Sequence, residues 1–272
     1  LILNNLEFDH ADIYQDLAMI KQQFSYLLRT VPADGTLVVN ADDANIQEVV
    51  TNGSWSNQVG FGLEHGDWQA QLLTTDGSEF ELYYQQQFIT TVDWSCVGQY
   101  NVKNALAASA AAVAVGVSPK VIATALQLFT GVRCRFEDLG TSNGITFTRD
   151  FAHHPTAIKG VIAAARAHFT SGRLLVVLQL GSRTMQRHVN VDDLSSALQV
   201  ADQVFVLASD EVTWDWQQLR TPLLTTTLIL EGQDLLLAEW AETFMPGDHV
   251  LLLGNKDMQD VSQHLQNALM LV

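Results

Sequence analysis

Residues 144–180, GITFTRDFAHHPTAIKGVIAAARAHFTSGRLLVVLQL, decide the fold class of this chain. A short run rich in β-branched and aromatic residues ends at Asp150, and a loop with two adjacent histidines follows. Residues 156–169 show the apolar spacing of an amphipathic helix, and residues 173–180 form an almost purely apolar run. Because a continuous apolar strand is typical of a sheet covered on both faces, this order predicts a parallel α/β unit.

The same alternation continues to the end of the chain. Strands are predicted at residues 203–209 and 248–254, and helices at residues 192–201, 232–244 and 260–272. Four strands alternating with helices predict a doubly wound, Rossmann-like domain. Ligands of such sheets bind beyond the carboxyl ends of the strands, so polar residues at those ends are candidate site residues.

The first half of the chain is also α/β but contains one segment of a different kind. A helix at residues 14–28 and a strand at residues 37–39 begin an alternating pattern. Residues 68–94 instead alternate with period two around Asp76-Gly77, a strong hairpin signal. We therefore expect a parallel sheet with a small antiparallel hairpin sheet.

Two helices close this first half. Residues 98–117 are rich in Ala and predict a loop followed by a buried helix. Ser118 is the expected N-cap of a further helix that starts at Pro119 and ends at Gly131. Residues 132–139 show little periodicity and are the expected connection, so we predict domains at residues 1–131 and 132–272.

Composition excludes some classes of partner. The 272 residues carry a formal net charge of −16 and only 14 Lys and Arg residues, whereas a duplex-binding surface needs clustered cations. We therefore expect no nucleic-acid partner. No apolar run approaches the ~18 residues of a membrane span. Cys96 and Cys134 lack metal-ligand spacing, which favours free thiols and a cytoplasmic location.

A first polar cluster lies in NNLEFDHADIY, just after the apolar start of the chain. His10 stands between two aspartates there, and such a group can ligate a hard cation. A solvated turn or a helix cap is the competing interpretation. It is weaker for His10 than for Asp12 and for Asp43, which follows the strand at residues 37–39.

A second cluster is the histidine pair His153-His154, placed just before the predicted helix. Two imidazoles alone make a poor zinc site, because structural sites use four protein ligands and catalytic sites three. A helix N-terminus attracts anions through its free N–H groups and its dipole. Anion recognition is therefore favoured over metal binding at this loop.

Two further pairs are ambiguous from the residues alone. Asn101 and Asn104 lie at a helix start, where Asn is a common cap, but their amides can also bind the edge of a purine. Arg133 and Arg135 lie near the expected domain junction. They are either surface or ion-paired residues, or they stabilise a phosphoryl group in transfer.

Taken in order, these stretches resemble the Mur ligase family, the ATP-dependent ligases that build the peptide stem of peptidoglycan. The match runs through NNLEFDHADIY, NADD, the G-x-x-N-x-x-N pattern from Gly98, the F-x-G-x-x-x-R-x-E pattern from Phe129, and RDFAHHPTAI. It covers nearly the whole chain. It implies that residues 1–131 are the remainder of a central ATP-binding domain, and that residues 132–272 are a C-terminal domain that binds the incoming peptide.

The resemblance also implies a role for each cluster. In the family, ATP phosphorylates the lactyl carboxylate of UDP-N-acetylmuramate, and the amine of the second substrate attacks the acyl phosphate. By resemblance, His10 ligates Mg²⁺, Asn101 and Asn104 hold the adenine, Asp150 holds the ribose, and Arg135 contacts the phosphates.

The remaining implied roles concern the second domain. His153 and His154 are implied to face the uridine-diphosphate sugar near the reacting carboxylate. Ser182, Arg183 and Thr184 stand where the family binds the peptide, with the Arg displaced by two positions from its usual place.

Within the family, DFAHHPTAI and NNLEFDHADIY are most similar to the branch that recycles cell-wall peptide. That branch joins the murein tripeptide L-Ala-γ-D-Glu-meso-diaminopimelate to UDP-N-acetylmuramate. The branch that adds L-alanine tends to have Tyr-Gly where this chain has Phe151-Ala152, and membership of it is the competing hypothesis. Two less favoured hypotheses are a degenerate, non-catalytic binding module and a metal hydrolase built on the histidine pair.

Some positions depart from the family pattern. Tyr100 stands where His is usual, and Arg149 replaces the first of two acidic residues. The Gly-Lys-Thr phosphate loop that precedes the D-H motif in the family does not occur in the 272 residues. We therefore interpret the chain as part of a longer polypeptide that also has an N-terminal nucleotide-sugar domain. Without the phosphate loop, we predict that these residues alone have no ligase activity.

Overall fold

The computed structural model describes residues 1–187, 191–220, 226–230, 240–255 and 258–270. The chain divides into two compact units, Leu1–Gly131 and Val132–Val272. Each unit is built on one six-stranded mixed sheet with helices packed against it. The α/β fold class predicted from the alternating pattern is therefore confirmed.

In the first unit the strands form one continuous sheet in the order β1-β2-β3-β4-β5-β6. Strands β1 to β4 are parallel, and β4, β5 and β6 are antiparallel, so the hairpin segment extends the parallel part directly. The strands are β1 (Ile2–Leu3), β2 (Thr36–Asn40), β3 (Asn57–Gly62), β4 (Trp68–Leu72), β5 (Glu79–Tyr84) and β6 (Gln87–Asp93). The helices are α1 (Leu17–Leu28), α2 (Ala44–Thr51), α3 (Gln99–Ala114) and α4 (Pro119–Leu128).

Strand β2 shows why the parallel part of this sheet is apolar on both faces. Leu37 and Val39 point into a cluster with residues of α1 and α2, while Val38 points into a cluster with α3 and α4. All three side chains are buried, and burying such a side chain contributes roughly 1.5–3 kcal/mol. This double burial fixes the register of β2 and therefore the position of the polar residues that follow it.

Helix boundaries in the first unit differ in detail from those predicted. Helix α1 starts at Leu17 rather than at Tyr14, because the Asp16 side chain accepts the N–H of Met19 at 2.8 Å and caps the helix. Ser118 does precede α4, but its side chain makes no capping hydrogen bond. The helix ends at Leu128, three residues before Gly131.

In the second unit the sheet order is β11-β10-β9-β12-β8-β7, and every pair except β7–β8 is parallel. The strands are β7 (Glu137–Ser142), β8 (Ile145–Asp150), β9 (Leu174–Gln179), β10 (Gln203–Ala208), β11 (Thr226–Leu230) and β12 (His249–Leu253). The helices within the described part are α5 (Pro155–His168), α6 (Arg183–Arg187), α7 (Val191–Leu198) and α8 (Gln259–Leu269), with a 3₁₀ turn at Trp216–Arg220.

The four strands predicted in this unit correspond to β8, β9, β10 and β12. The predicted connection at residues 132–139 is wrong beyond residue 136, because β7 begins at Glu137 and pairs with β8. Strand β7 has the sequence EDLGTS, with Leu139 as its one apolar residue, so it shows no apolar pattern that predicts a strand. Most of the predicted helix at residues 232–244 lies outside the described residues.

Candidate functional site

The carboxyl ends of β8 and β12 surround a cavity of about 340 Å³ in the second unit. Its lining is formed by three neighbouring stretches of chain: Arg133 and Cys134; Arg149, Asp150 and Phe151; and Gly254, Asn255 and Met258. Strands β8 and β12 are adjacent and parallel, with Leu253 opposite Asp150, which brings the latter two stretches together. The cavity therefore lies where a doubly wound sheet binds its ligands.

Asp150 is part of the frame of this cavity, with its side chain fully buried. One carboxylate oxygen accepts the N–H of Ala152 and the other accepts the N–H of Phe136, each at 2.8 Å. Burial raises the pKa of Asp150, more than these two hydrogen bonds and the charge of Arg135 lower it. Its role towards a ribose stays a prediction, since here its oxygens hold two turns of the backbone.

Arg135 is an exposed cation beside the cavity, with its side chain 48% exposed, and the neighbouring lining residue Arg133 is also exposed. One of its guanidinium nitrogens lies 3.8 Å from an Asp150 oxygen, and the guanidinium carbon lies 5.4 Å from the centre of the Phe151 ring. An Arg over an aromatic face gains a cation–π attraction and keeps its outer N–H groups free to bind an anion. This placement suits contact with phosphate, which stays a prediction.

The backbone on either side of Arg135 adopts an unusual conformation. Cys134 has a φ of 58° and Phe136 a φ of 47°, both in the left-handed region that non-glycine residues rarely occupy. The N–H of Cys134 donates to Glu137 Oε2 at 2.7 Å, and its carbonyl accepts the N–H of Phe151 at 2.9 Å. Such conformations persist only where surrounding contacts hold them.

Arg149 forms an ion pair that the sequence did not reveal. It is 4% exposed, and its Nε donates to Glu137 Oε2 at 2.9 Å from the directly opposite position on β7. Its Nη1 donates to Gln259 Oε1 at 2.8 Å, at the first residue of α8. The hydrogen bond from Arg149 and the N–H of Cys134 together hold the pKa of Glu137 below its usual value.

The histidine pair lies between β8 and α5, as the sequence predicts. His153 is half-buried, its Nδ1 is 2.9 Å from the carbonyl oxygen of Phe151, and its ring packs edge-on against the Phe151 ring. His154 occupies the N-cap position of α5, and Pro155 is the first helical residue. Sequence reasoning thus placed the pair correctly, while the sugar-facing role of both residues stays a prediction.

Ser182, Arg183 and Thr184 follow β9 at the same edge of the sheet. Ser182 Oγ accepts the N–H of Met185 at 3.1 Å and starts α6, and both Ser182 and Thr184 are buried. Only Arg183 of the three has an exposed side chain. Their assignment to the peptide stays a prediction, and Arg183 is the residue positioned to make a direct contact.

In the first unit, His10 is exposed on the loop after β1. Its backbone has a φ of 55°, its N–H donates to Asp9 Oδ1 at 2.7 Å, and its carbonyl accepts the N–H groups of Ile13 and Tyr14. A tight turn therefore presents the imidazole to solvent. Its role as a Mg²⁺ ligand stays a prediction.

Asp42 and Asp43 follow β2 and have structural partners. Asp43 caps α2 by accepting the N–H of Ile46 at 3.0 Å, and its other oxygen accepts the N–H of Leu6 at 3.0 Å. Asp42 accepts N–H groups from the loop after β3, including those of Leu63 at 2.7 Å and His65 at 2.9 Å. The capping interpretation is therefore confirmed for Asp43.

Asn101 and Asn104 lie in the first turns of α3, and both already hold the local fold. Asn101 Nδ2 donates to the carbonyl oxygen of Val97 at 2.8 Å, and Asn104 Oδ1 accepts from Asn4 Nδ2 at 2.8 Å. Each amide therefore keeps one polar atom for a ligand: the oxygen of Asn101 and the nitrogen of Asn104. One acceptor and one donor match the edge of adenine, and this role also stays a prediction.

The described residues also limit which metal chemistry this part of the chain can perform. Within that part of the chain, no three His, Cys, Asp or Glu residues converge to hold a metal ion. This leaves the His-pair metal hydrolase without a ligand set among those residues. Over the same residues, no helix has both the length and the apolar character needed to cross a membrane. Cys96 and Cys134 are both free thiols.

Sequence reasoning missed several residues that frame the cavity. Glu137, which binds the lining residues Cys134 and Arg149, was noticed only as part of a motif, and Gly254, Asn255 and Met258 of the lining were not singled out. The last three follow the apolar strand β12, so the same rule that selected Asp150 would have found them. The partnership of Glu137 with Arg149 depends on the pairing of β7, which had no signal.

Comparison with known proteins gives two domain matches. Residues 1–112 match the Mur ligase middle domain, and residues 134–256 match the Mur ligase glutamate ligase domain. The chain is 40% identical over 270 residues to the UDP-N-acetylmuramate–L-alanyl-gamma-D-glutamyl-meso-2,6-diaminoheptandioate ligase of Escherichia coli K12. The match covers 99% of this chain and 59% of the relative.

Two further similarities complete the comparison. The crystal structure of a murein peptide ligase from Psychrobacter arcticus superimposes with a TM-score of 0.73 at 29% identity, over 100% of this chain and 57% of that one. A UDP-N-acetylmuramate–L-alanine ligase of Clostridium acetobutylicum is 32% identical over 75% of this chain and 44% of its own length. The chain thus spans less than two thirds of each of these proteins.

Proposed function

The chain belongs to the Mur ligase family, and on that premise we propose that it forms the ATP- and peptide-binding part of a peptidoglycan-recycling ligase. The reaction is the ADP-forming joining of L-Ala-γ-D-Glu-meso-diaminopimelate to the lactyl carboxylate of UDP-N-acetylmuramate. The observation that carries the proposal is the 40% identity to a ligase of that name over 99% of this chain. The match to both family domains supports it.

We assign residues 1–131 to ATP and residues 132–272 to the incoming peptide. In the first unit, Asn101 and Asn104 offer one acceptor and one donor for the adenine edge. In the second, Asp150 fixes the turns beside the cavity, and Arg135 offers guanidinium N–H groups to the phosphates. A positive group at this place stabilises the negative charge that spreads over a phosphoryl group in transfer.

His10 is the proposed protein ligand of Mg²⁺. Its exposed imidazole suits a cation that keeps several waters and binds substrate phosphates, because such a cation needs few protein ligands. The ion supplies charge neutralisation between the phosphate and the acyl group. It also lets a chain of net charge −16 bind two anionic substrates.

The second unit supplies the residues proposed for the acceptor side. His153 and His154 stand at the start of α5, where the helix dipole favours an anion such as the sugar nucleotide. The contact between His153 Nδ1 and the Phe151 carbonyl orients the ring, which we propose faces a reacting carboxylate. Exposed Arg183, supported by buried Ser182 and Thr184, is the proposed contact for a peptide carboxylate.

The test is an assay of ADP release by the full-length polypeptide that carries this chain. With UDP-N-acetylmuramate present, we expect release to depend on the tripeptide and not on L-alanine. Preference for L-alanine would instead assign the chain to the L-alanine-adding branch. No release with either amine would support a non-catalytic binding module.

We also propose that residues 1–272 alone do not turn over ATP, because they contain no Gly-Lys-Thr loop to cradle the phosphates. The same assay on the 272-residue chain tests this. ADP release above a no-enzyme blank, with no other polypeptide added, would contradict it.

A further inference from the structure

The loop Val132–Phe136 is the strained element beside the cavity, and its conformation depends on carboxylates outside it. Cys134 and Phe136 both have left-handed backbones, with Arg135 between them. The N–H of Cys134 is held by Glu137, and that of Phe136 is held by Asp150. Because each left-handed residue costs free energy, the loop keeps this shape only while both carboxylates stay in place.

The two carboxylates are fixed in different ways. Asp150 is the last residue of the largely buried strand β8, and its side chain is fully buried and held by two backbone N–H groups. Glu137 lies on the edge strand β7 with its side chain 30% exposed, so packing alone does not fix it. What orients the Glu137 carboxylate is the hydrogen bond from Arg149 Nε at 2.9 Å.

Arg149 reaches a second wall of the cavity at the same time. Its Nη1 donates to the side-chain oxygen of Gln259, the first residue of α8, at 2.8 Å. Helix α8 follows directly on Met258, which lines the cavity. The buried guanidinium of Arg149 therefore connects two parts of the site. One is Glu137 on β7, which holds the loop Val132–Phe136, and the other is the start of α8 on another wall of the cavity.

Arg149 supplies a positive charge directly opposite Glu137 on β7. An acidic residue 149 would instead face and repel the carboxylate of Glu137, whereas Arg149 neutralises it. Only a guanidinium offers two separate N–H groups in the fixed geometry that these two acceptors need.

We propose that Arg149 is a positioning residue that holds Arg135 in place through Glu137 and Cys134. Its guanidinium is bound to Glu137 and Gln259, and it thereby fixes the loop Val132–Phe136 and the start of α8 as two walls of the cavity. The contact of Arg135 with phosphate belongs to the proposed function, and this part of the proposal depends on it. The coupling of Arg149 to the loop does not depend on the proposed function.

The first experiment measures opening of the loop through the thiol of Cys134. In the full-length polypeptide, thiol-alkylation rates are read separately at Cys134 and Cys96 by peptide mass spectrometry. Cys96 is buried in the first unit and serves as the internal control. In Arg149→Met, Cys134 should react faster by about tenfold or more, the scale of losing a hydrogen bond to a charged group, with Cys96 unchanged.

The matched control variant is Arg166→Met. It also removes an Arg–carboxylate ion pair of the second unit, but the two side chains of this pair are more exposed than those of Arg149 and Glu137. Arg166 Nη2 lies 2.6 Å from Asp202, with both side chains partly exposed. This variant should leave the rate at Cys134 unchanged, and an equal acceleration in Arg166→Met and Arg149→Met would overturn the proposal. The proposal would also be overturned if folded Arg149→Met showed an alkylation rate at Cys134 within about twofold of the parent's rate.

Glu137→Gln decides the question if Arg149→Met does not fold. It keeps the size of the side chain but removes the charge that Arg149 holds, so Cys134 should again react faster while Cys96 does not. An unchanged rate at Cys134 in this variant would contradict the proposal. Arg149→Lys restores one charged donor and should give a rate between those of Arg149→Met and the parent.

The second experiment connects the loop to catalysis. In the ADP-release assay, Arg149→Met should raise the KM for ATP by about tenfold, and should cause no further loss when Arg135 is already Ala. A purely structural role would give additive losses in the double variant and would refute positioning of Arg135. If the parent releases no ADP, the proposed function fails, while thiol alkylation still tests the coupling of Arg149 to the loop.

Discussion

In each of the two sheets, polar residues follow the carboxyl ends of parallel strands, but the contacts that hold these residues differ between the sheets. In the first unit, His10 is exposed on a turn fixed by its own neighbours along the chain. In the second, Arg149 and Asp150 are 4% and 2% exposed and are held by residues distant in sequence. The difference teaches that Arg149 and Asp150 are also part of the fold of the second unit, whereas His10 is not part of the fold of the first.

The largest effect expected from this comparison is the loss of stability in Asp150→Ala. The substitution leaves the N–H groups of Phe136 and Ala152 unpaired in a buried place and frees the left-handed Phe136. We expect the second unit to lose about 3 kcal/mol of unfolding free energy, measured by urea denaturation. Asp150→Asn keeps one acceptor oxygen and should lose less.

A smaller loss is expected in the first unit for Asp42→Ala. Its carboxylate accepts the N–H groups of Leu63, Glu64 and His65, which lie on a partly exposed loop. Because water can replace part of these bonds, we expect a loss of about 2 kcal/mol in urea denaturation. A loss as large as that of Asp150→Ala would contradict the contrast between the two units.

The carboxyl of Asp42 should also make the stability of the first unit depend on pH. Burial raises its pKa, but the three backbone N–H groups and the His65 ring outweigh burial and leave the pKa below the usual 3.8. A carboxyl with a lowered pKa stabilises the folded state fully above 3.8 and less as the pH falls through its folded value. The loss caused by Asp42→Asn should therefore shrink at acid pH, when urea denaturation is repeated down the pH scale.

The sequence predicted more of the fold than of the contacts that hold the site. Apolar runs and helical spacing located β8, β9, β10 and β12, because burial on both faces leaves a local pattern. The turn between β5 and β6 was not found, since Gln85 and Gln86 have positive φ values of 47° and 65° without being Gly or Asn. Its conformation is set by the pairing of the two strands, not by its residues.

The candidate site shows the same division. The rule that ligands bind beyond strand ends selected Asp150 and His153 from local pattern alone, whereas Ser182 was selected only through the family resemblance. The partners of Arg149, by contrast, come from β7 and α8, 12 and 110 residues away. No local pattern encodes contacts of that separation, so the position was judged only as a departure from the family.

A pH effect of intermediate size is expected at the opposite edge of the second sheet. The ring of His249 stacks on the ring of Phe169 with 3.9 Å between the ring centroids, and its Nε2 is 3.0 Å from the carbonyl oxygen of Ser171. Burial lowers the pKa of His249 from its usual 6.5, and the nearby charges of His168 and Arg166 act in the same direction, against Asp248 and the Ser171 hydrogen bond.

A base with a lowered folded pKa binds more protons when unfolded, so its contribution to stability is present above 6.5 and decreases as the pH falls below it. The slope is at most that of one proton, about 1.4 kcal/mol per pH unit. His249→Phe keeps the stacking and should remove this part of the slope in urea denaturation between neutral and mildly acid pH. Equal slopes in the variant and the parent would contradict the assignment to His249.

The smallest effect on stability is expected at His10, and it is the sharpest test of the comparison. His10→Asn removes the imidazole, and Asn is among the residues that tolerate the left-handed backbone found there, at a φ of 55°. Because the side chain is exposed, the unfolding free energy should change by no more than about 0.5 kcal/mol. In the ADP-release assay, the same variant should need a higher Mg²⁺ concentration for half-maximal rate, because the proposed protein ligand is gone. A loss of stability comparable to that of Asp42→Ala would place His10 in the fold, and an unchanged Mg²⁺ requirement would remove it from the metal site.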